Sequence, residues 1–385
     1  MPFSIIRNDI TKVTADAVVN TANPKPVVGG GADTAVYRAE GKRRLLAQRK
    51  QIGDVAPGQA VRTDAFRLPA KHIIHTVGPV WQGGGFGERD VLRACYANSL
   101  ALADELRCES VAFPLISAGS YGFPKDEALQ IALSEIGKFL LTHEMQVTLV
   151  VFDAAAFALS SSLMGDIRQY IDDRTAQQLR EQEYGALPQS RRAAGRFAPS
   201  FRERERRGPD ASAPLPSETT ANVAEDRAAS CKAPQTAVWP EFSAAAAGSV
   251  AQPIPFSEFS SSGKSLDEML DGAGKTFQQK LFELIDASGM DDVTVYKKAN
   301  IDRKVFSRIR CKEDYRPTKK TAVAFAIALE LDMPAMLDLL ARAEIAFSPS
   351  SKFDLIVTYF VTHGIYDIYE INAALFQYDQ PLLGA

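Results

Sequence analysis

At 385 residues the chain is longer than one compact core accommodates, so two or more domains are expected. Its composition, 46% apolar and 24% charged with a net charge of −3, is that of an ordinary soluble protein and excludes a globally basic nucleic-acid binder, leaving only a local patch for that role. Cys95, Cys108, Cys231 and Cys311 show no CxxC spacing, and with His72, His75, His143 and His363 they form no zinc-ligand cluster, so free thiols and no metal are expected. MPFSIIRNDI lacks the basic start and apolar run of a signal peptide, and the longest apolar stretch (322–329) is too short for a bilayer; the expected address is cytoplasmic, without membrane contact.

In chain order, strand-like runs are FSIIR (3–7), AVVN (17–20), QAVRT (59–63), HIIHTVG (72–78), SVAFPLI (110–116) and VTLVVFD (147–153). Helical patterns fall at 33–48, 88–107, 124–142 and 155–172. Continuously apolar runs suit strands buried on both faces, and their alternation with helices predicts a sheet between helix layers. Ligands of such sheets bind at the carboxyl ends of the strands. Residues 176–274, rich in Ala, Pro, Ser, Arg and Glu and poor in periodic apolar residues, read as a flexible linker; 191–208 carries seven Arg against two Glu. Helical periodicity returns from Thr276, with segments at 293–299, 302–310, 319–331, 335–343 and 351–363. The expected domains are therefore 1–175, a linker over 176–274, and a separate all-α unit over 275–385.

Four segments of the first domain converge on one site. Asp9 and Ile10 follow the first strand, where a carboxylate can accept from an exocyclic amine such as that of adenine. Asn20 and Asn23 end the second strand ahead of Gly29, Gly30 and Gly31, with Asp33 opening a helix. Glycines admit a ligand close to the backbone, and helix N-termini favour phosphate. Ser117, Ala118, Gly119, Ser120, Tyr121 and Gly122 form a third loop whose amides can cradle phosphate. Phe152 and Asp153 end the last strand, the ring placed to stack on a base. Gly274-Lys275-Thr276 and Gly263-Lys264-Ser265 imitate P-loop fragments, but Met269 and Glu258 stand where that motif needs glycine.

NDIT, AVVNTAN, GGGAD, HTVGP, FPLISAGSYGFP and LVVFD, in this order and spacing, resemble the macrodomain family over residues 1–172. The resemblance implies a three-layer α/β/α fold with a mixed sheet that binds ADP-ribose. Asp9 and Ile10 would read the adenine, Phe152 would stack on it, residues 117–122 would enclose the pyrophosphate and distal ribose, and Gly29–Gly31 would line the other side. The ten-residue spacing of Asn23 and Asp33, in a glycine loop without lysine, resembles the MacroD-like hydrolase branch. It implies removal of mono-ADP-ribose from protein carboxylates, or deacetylation of O-acetyl-ADP-ribose, with Asn23 and Asp33 as catalytic pair. Tyr37 stands where some members of that branch have histidine. Implied partners are ADP-ribose and ADP-ribosylated protein, with no further cofactor.

Residues 293–331 resemble the helix-turn-helix of small repressor-like domains. Arg303, Lys304, Ser307 and Arg308 would be DNA contacts on a recognition helix, since 297–320 holds ten basic and three acidic residues while 276–385 as a whole nets −2. The alternatives are a protein-docking role for this segment, and an ADP-ribose sensor coupled to a DNA-binding regulator.

Overall fold

Six short strands form one sheet in the order β1-β6-β5-β2-β4-β3: β1 Phe3–Arg7, β2 Ala17–Thr21, β3 Ala60–Asp64, β4 His72–Thr76, β5 Ser110–Pro114 and β6 Gln146–Val151. The computed structural model describes residues 2–152, 163–172, 174, 274–312 and 314–384. Every neighbouring pair is parallel except β3–β4, which is antiparallel, so the sheet is mixed as expected. The inner strands β2, β4, β5 and β6 are buried on both sides because helices cover both faces. Val18, Ile73, Ala112 and Val150 face α1 (Ala32–Glu40) and α2 (Lys42–Ile52), where Val36, Tyr37 and Leu45 meet them. Their neighbours Val19, Ile74, Val111, Phe113 and Leu149 face α3 (Glu88–Glu105) and α4 (Lys125–Thr142). The period of two along each strand thus divides the residues between two cores. The pattern at 33–48 reads as one helix, yet the structure breaks it at Gly41, whose φ of +87° lies outside helical space and suits only glycine.

The C-terminal helices are α5 (Phe277–Ser288), α6 (Asp292–Lys298), α7 (Arg303–Cys311), α8 (Lys319–Ala328), α9 (Met333–Ala341), α10 (Lys352–Thr362) and α11 (Ile368–Gln377). They share one hydrophobic core and one compact unit with the α/β layers instead of standing apart. The join is made at α4 and at the sheet edge β1. Tyr369 of α11 packs its ring on α4 at Gly137, where any Cβ would come within 2.9 Å of Tyr369 Cε2. The same ring meets Phe3 edge-on, with centroids 5.3 Å apart. Asn300, fully buried, gives β1 a side-chain substitute for a neighbouring strand: Phe3 N–H donates to its Oδ1 at 2.8 Å, and its Nδ2 donates to Phe3 O at 3.0 Å. The outward-facing backbone groups of Phe3 on this edge strand thereby find partners. Arg7 at the other end of β1 reaches Asp379 (3.3 Å) and lies over Phe376.

The aromatic run near the C-terminus is therefore used largely for packing: Phe353, Tyr359, Phe360 and Tyr369 are buried, and α11 is a helix capped by Asp367. In α7, Phe306 and Ile309 face inward while Arg303, Lys304, Ser307 and Arg308 are exposed. The local basic excess is half neutralised by neighbours. Lys297 pairs with Glu144, Lys298 with Glu330, Arg310 with Asp292, Arg316 with Glu344 and Lys319 with Asp354. The five paired residues have less counterion release to offer nucleic acid, while Arg303, Lys304 and Arg308 are not among the pairs. The linker expected over 176–274 falls almost entirely outside the described residues, as does Cys231; Cys95, Cys108 and Cys311 are free thiols. No described helix is long and apolar enough to cross a membrane.

Candidate ligand-binding site

The carboxyl ends of β1, β6, β5 and β2 lie at one end of the parallel part of the sheet, and two cavities open there. The first, about 370 Å³, is lined by Asn8, Asp9, Ile10, Ala35, Val150 and Phe152, together with Gly31, Ala32 and Pro114. The second, about 110 Å³, shares Gly31, Ala32 and Pro114 and adds Thr21, Asn23, Gly29, Gly30, Gly78, Leu115, Ser117, Gly119, Ser120 and Tyr121. The shared residues make them two compartments of one groove.

In the larger compartment Asp9 caps a short 3-10 turn (Ile10–Lys12). Its Oδ1 accepts from Thr11 N–H at 2.9 Å and Thr11 O–H at 2.8 Å, and these bonds hold the carboxyl below its usual range. Asp9 is therefore an acceptor at neutral pH. Ile10 is buried beneath it, and Phe152 is 75% exposed, a ring with an uncovered face. Asp153 lies outside the described residues.

The smaller compartment is a cleft between two loops. In one, Ser117 adopts φ +62°, a left-handed conformation that costs energy for a residue with a Cβ. The turn is closed by Gly122 N–H to Gly119 O (3.0 Å) and Phe123 N–H to Ser117 O (3.1 Å). Ser117 Oγ is buried and has no protein partner among the described residues. Nor is any bond within the protein made by the backbone N–H groups of Ala118, Gly119 and Ser120 among those residues. Such a set of unspent donors at the foot of a helix favours an anion. Gly78 belongs to the HTVGP segment and is a lining residue that sequence reasoning did not single out; a Cβ there would meet Ile116 Cγ2 at 2.9 Å and collide with Ser117 Oγ. Ala118 and Gly122 shape the loop without lining the cleft: Ala118 packs on the core and Gly122 supplies a φ of +69°.

On the opposite wall Asn23 receives the Tyr121 hydroxyl at its Oδ1 (3.3 Å), which ties the two loops together across the cleft. A Cβ on Gly29 would stand 2.7 Å from Asn23 Nδ2 and 3.1 Å from Asp33 Oδ2, so both side chains would have to give. Asn20 and Asp33 do not line the cleft. Asn20 is fully buried and Asp33 is 1% exposed. Asp33 accepts from Asn20 Nδ2 at 2.6 Å on one oxygen and from Gly29 N–H at 2.5 Å on the other. Asn20, expected among the ligand contacts, thus serves behind the wall: its side chain turns inward from β2 to the polar interior. Burial raises the Asp33 carboxyl above its ordinary value, against the lowering effect of the bonds from Asn20 and Gly29 and of the buried Arg49 charge. Tyr37 is also buried behind Asp33, its hydroxyl pushed up to about 12 by burial and then by the Asp33 charge.

His75 is fully enclosed, and burial, then the Arg49 charge, lowers it from 6.5 to about 3. Between those values the unfolded chain binds a proton that the native one refuses, so stability contributed above pH 6.5 is lost as pH falls. The expected slope is about 1.4 kcal/mol per pH unit between pH 6.5 and 3. Urea denaturation of wild type and His75→Asn at several pH values checks this: the two curves should converge towards acid.

Comparison with known proteins follows the same residues. A sequence model of the macro domain matches residues 19–132. A macro domain-containing protein of Chlorobaculum tepidum is 46% identical over 147 residues, 38% of this chain and 84% of the relative. An O-acetyl-ADP-ribose deacetylase of Escherichia coli K12 is 45% identical over 154 residues, 39% of this chain and 87% of the relative. The solved macrodomain of Oceanobacillus iheyensis with ADP is 35% identical, covering 40% of this chain and 84% of that one, with a TM-score of 0.38. These matches cover the α/β portion. With that share of the relatives' length matched at such identity, the chain belongs to the macro domain family.

Proposed function

We propose that the groove binds ADP-ribose and that the protein hydrolyses bonds at the distal ribose, releasing mono-ADP-ribose from protein carboxylates or acetate from O-acetyl-ADP-ribose. The observation that carries this reading is the two-compartment groove: an acceptor carboxylate with an open aromatic ring at one end, a cleft of unspent N–H donors at the other. Adenine fits the first, with its exocyclic amine donating to Asp9 and its face on Phe152. The pyrophosphate takes the Ser117–Ser120 amides and the Ser117 hydroxyl. The distal ribose then lies between Asn23, Tyr121 and Gly29–Gly31. Asn23, tied to Tyr121 across the cleft, would orient the reacting ribose with an attacking water; Asp33 acts through Gly29 and Asn20 as a positioning group. Holding water and ribose in a preset cleft is a positioning and electrostatic strategy that asks for no metal. Relatives named O-acetyl-ADP-ribose deacetylase support the reading.

The test is a time course of ADP-ribose release from carboxyl-linked and serine-linked modified proteins, with O-acetyl-ADP-ribose in parallel, wild type beside Asp33→Ala. Release from the carboxyl linkage or deacetylation is expected. A second reading, binding without turnover, is favoured by the burial of Asp33 away from the cleft; tight binding with no release on any of the three substrates would establish it. Phe152→Ala should weaken ADP-ribose about tenfold by calorimetry, the effect of losing one base–aromatic stack. An unchanged affinity would remove adenine from that compartment.

A further inference from the structure

Behind the glycine wall runs a line of buried polar groups that the ligand-facing residues do not use. Asn20 Nδ2 lies 2.6 Å from Asp33 Oδ1 and 3.1 Å from His75 Nδ1. His75 Nε2 lies 2.9 Å from Thr63 Oγ1 on β3. Asn20 and His75 are fully buried and Thr63 is 3% exposed. With Asp33 ionised, the donors and acceptors admit one consistent assignment. Nδ2 of Asn20 has two hydrogens, and both neighbours must accept them. Asp33 accepts as a carboxylate. His75 Nδ1 accepts only when the ring proton sits on Nε2, where it is donated to Thr63. Turning the Asn20 amide over would set its oxygen against the Asp33 carboxylate. Its oxygen, buried and without a protein partner among the described residues, is what the amide forgoes to keep both N–H bonds.

We propose that His75 is a positioning residue of this site: as the neutral Nε2–H tautomer it turns Asn20 so that the Asp33 carboxylate stays aimed at Gly29 N–H, and it thereby sets the glycine wall against which the ligand rests. The inference deepens the ADP-ribose reading and rests on it for the identity of the ligand. Gly29 is the connection, because its N–H takes one oxygen of Asp33 while Asn20 holds the other. A shift of the carboxylate moves a wall residue whose N–H it holds and which lies against the Asn23 side chain. The low proton affinity of the enclosed imidazole agrees with a ring that keeps one state across the physiological range.

The experiment uses the full chain. Nitrogen-15 NMR of the His75 ring gives the tautomer, and calorimetry with ADP-ribose plus turnover of the carboxyl-linked substrate gives the consequence. The ring should show a protonated Nε2 and a bare Nδ1 from pH 5 to 8. His75→Leu, which removes the acceptor, should weaken ADP-ribose at least tenfold and lower kcat further. His75→Asn, whose side-chain oxygen can take the Asn20 hydrogen, should recover affinity to within about threefold of wild type. Thr63→Val, a milder change that frees Nε2–H, should shift the ring spectrum towards the other tautomer and weaken binding, and it serves if His75→Leu does not fold. A proton on Nδ1 in the wild type, equal impairment of the leucine and asparagine variants, or wild-type affinity in His75→Leu would each overturn the proposal. A wild type that binds but does not turn over sinks the hydrolase reading alone, since the ranking of affinities still decides the role of His75. A wild type that does not bind ADP-ribose sinks the site reading, and the ring tautomer then decides whether His75 holds Asn20 in the proposed orientation.

Discussion

Asn300→Leu should destabilise the full chain by about 4 kcal/mol, measured as the shift of a urea unfolding curve. Leucine keeps the branching of asparagine, but Asn300 sits at φ +53°, a left-handed conformation that asparagine tolerates better than leucine, so the loss combines the hydrogen bonds with backbone strain. Asn300 is the side-chain partner of Phe3 N–H and Phe3 C=O, which its loss would orphan, and it shares Leu383 C=O (3.3 Å) with Asn372. Each buried group left without a partner costs about 1–3 kcal/mol. Water cannot relieve them, since Phe3, Asn300 and Leu383 are all fully buried. The same position anchors the end of the chain: Gly384 has φ +106° and a Cβ there would collide with Asn300 O, while Asn372 clasps Leu383 through its N–H (2.6 Å) and C=O (3.2 Å). A loss below about 1 kcal/mol would mean that β1 is not sealed in this way.

Asp33→Ala should lower kcat/KM by at least about a hundredfold, the scale of a misplacement of about 1 Å in a positioned site. Both oxygens of the carboxylate are engaged, so its removal releases the Gly29 N–H and the Asn20 amide together. The wall then loses its fixed distance to Asn23 and Tyr121. Asp33→Asn preserves the shape but turns a donor towards one of two donors, and it should fall between wild type and alanine. Because burial raises the Asp33 carboxyl, the acidic limb of the pH–rate profile should lie above the ordinary range of an aspartate, with activity gained as pH rises through it. Steady-state kinetics from pH 4 to 8 checks both points. Asp33→Ala working at the wild-type rate would remove Asp33 from the site, whatever its hydrogen bonds.

The α/β part was legible because its signals are local. Runs such as VAFP and TLVV, too apolar to face water on either side, announced strands buried between helix layers, and the structure places Ser110–Pro114 and Gln146–Val151 there. The loop motifs were legible for the same reason: a glycine that must admit a ligand or turn the chain, or a serine between a strand and a helix, constrains its own few residues. Asp9, Phe152, Asn23, Gly29 and the Ser117–Tyr121 loop accordingly meet in one groove. Even there the pattern could not tell a residue that faces the cleft from one that stands behind it. Asn20 and Asn23 are three apart on a strand end, and only the packing of β2 between β4 and β5 decides that the first turns inward to His75 and Asp33.

Tertiary structure alone decided the fate of the C-terminal helices. Their amphipathic stripes promise a partner surface but do not name it, and a separate bundle would satisfy the same periodicity. Three long-range matches assign it: the side-chain amide of Asn300 on the backbone of Phe3, the ring of Tyr369 on the bare backbone of Gly137, and the Tyr296 hydroxyl on Glu144 at 2.7 Å. Each joins residues far apart in the chain, where no sequence window reaches. The charge around α7 behaves likewise, because the acids that neutralise its basic neighbours come from other segments. The amino-acid sequence by itself determined the sheet and the residue types that line the groove, since these follow from burial and backbone freedom over a few residues. Which of those residues face the groove, and that the helical segment packs on the edge strand β1, were decided by packing between distant parts of the chain.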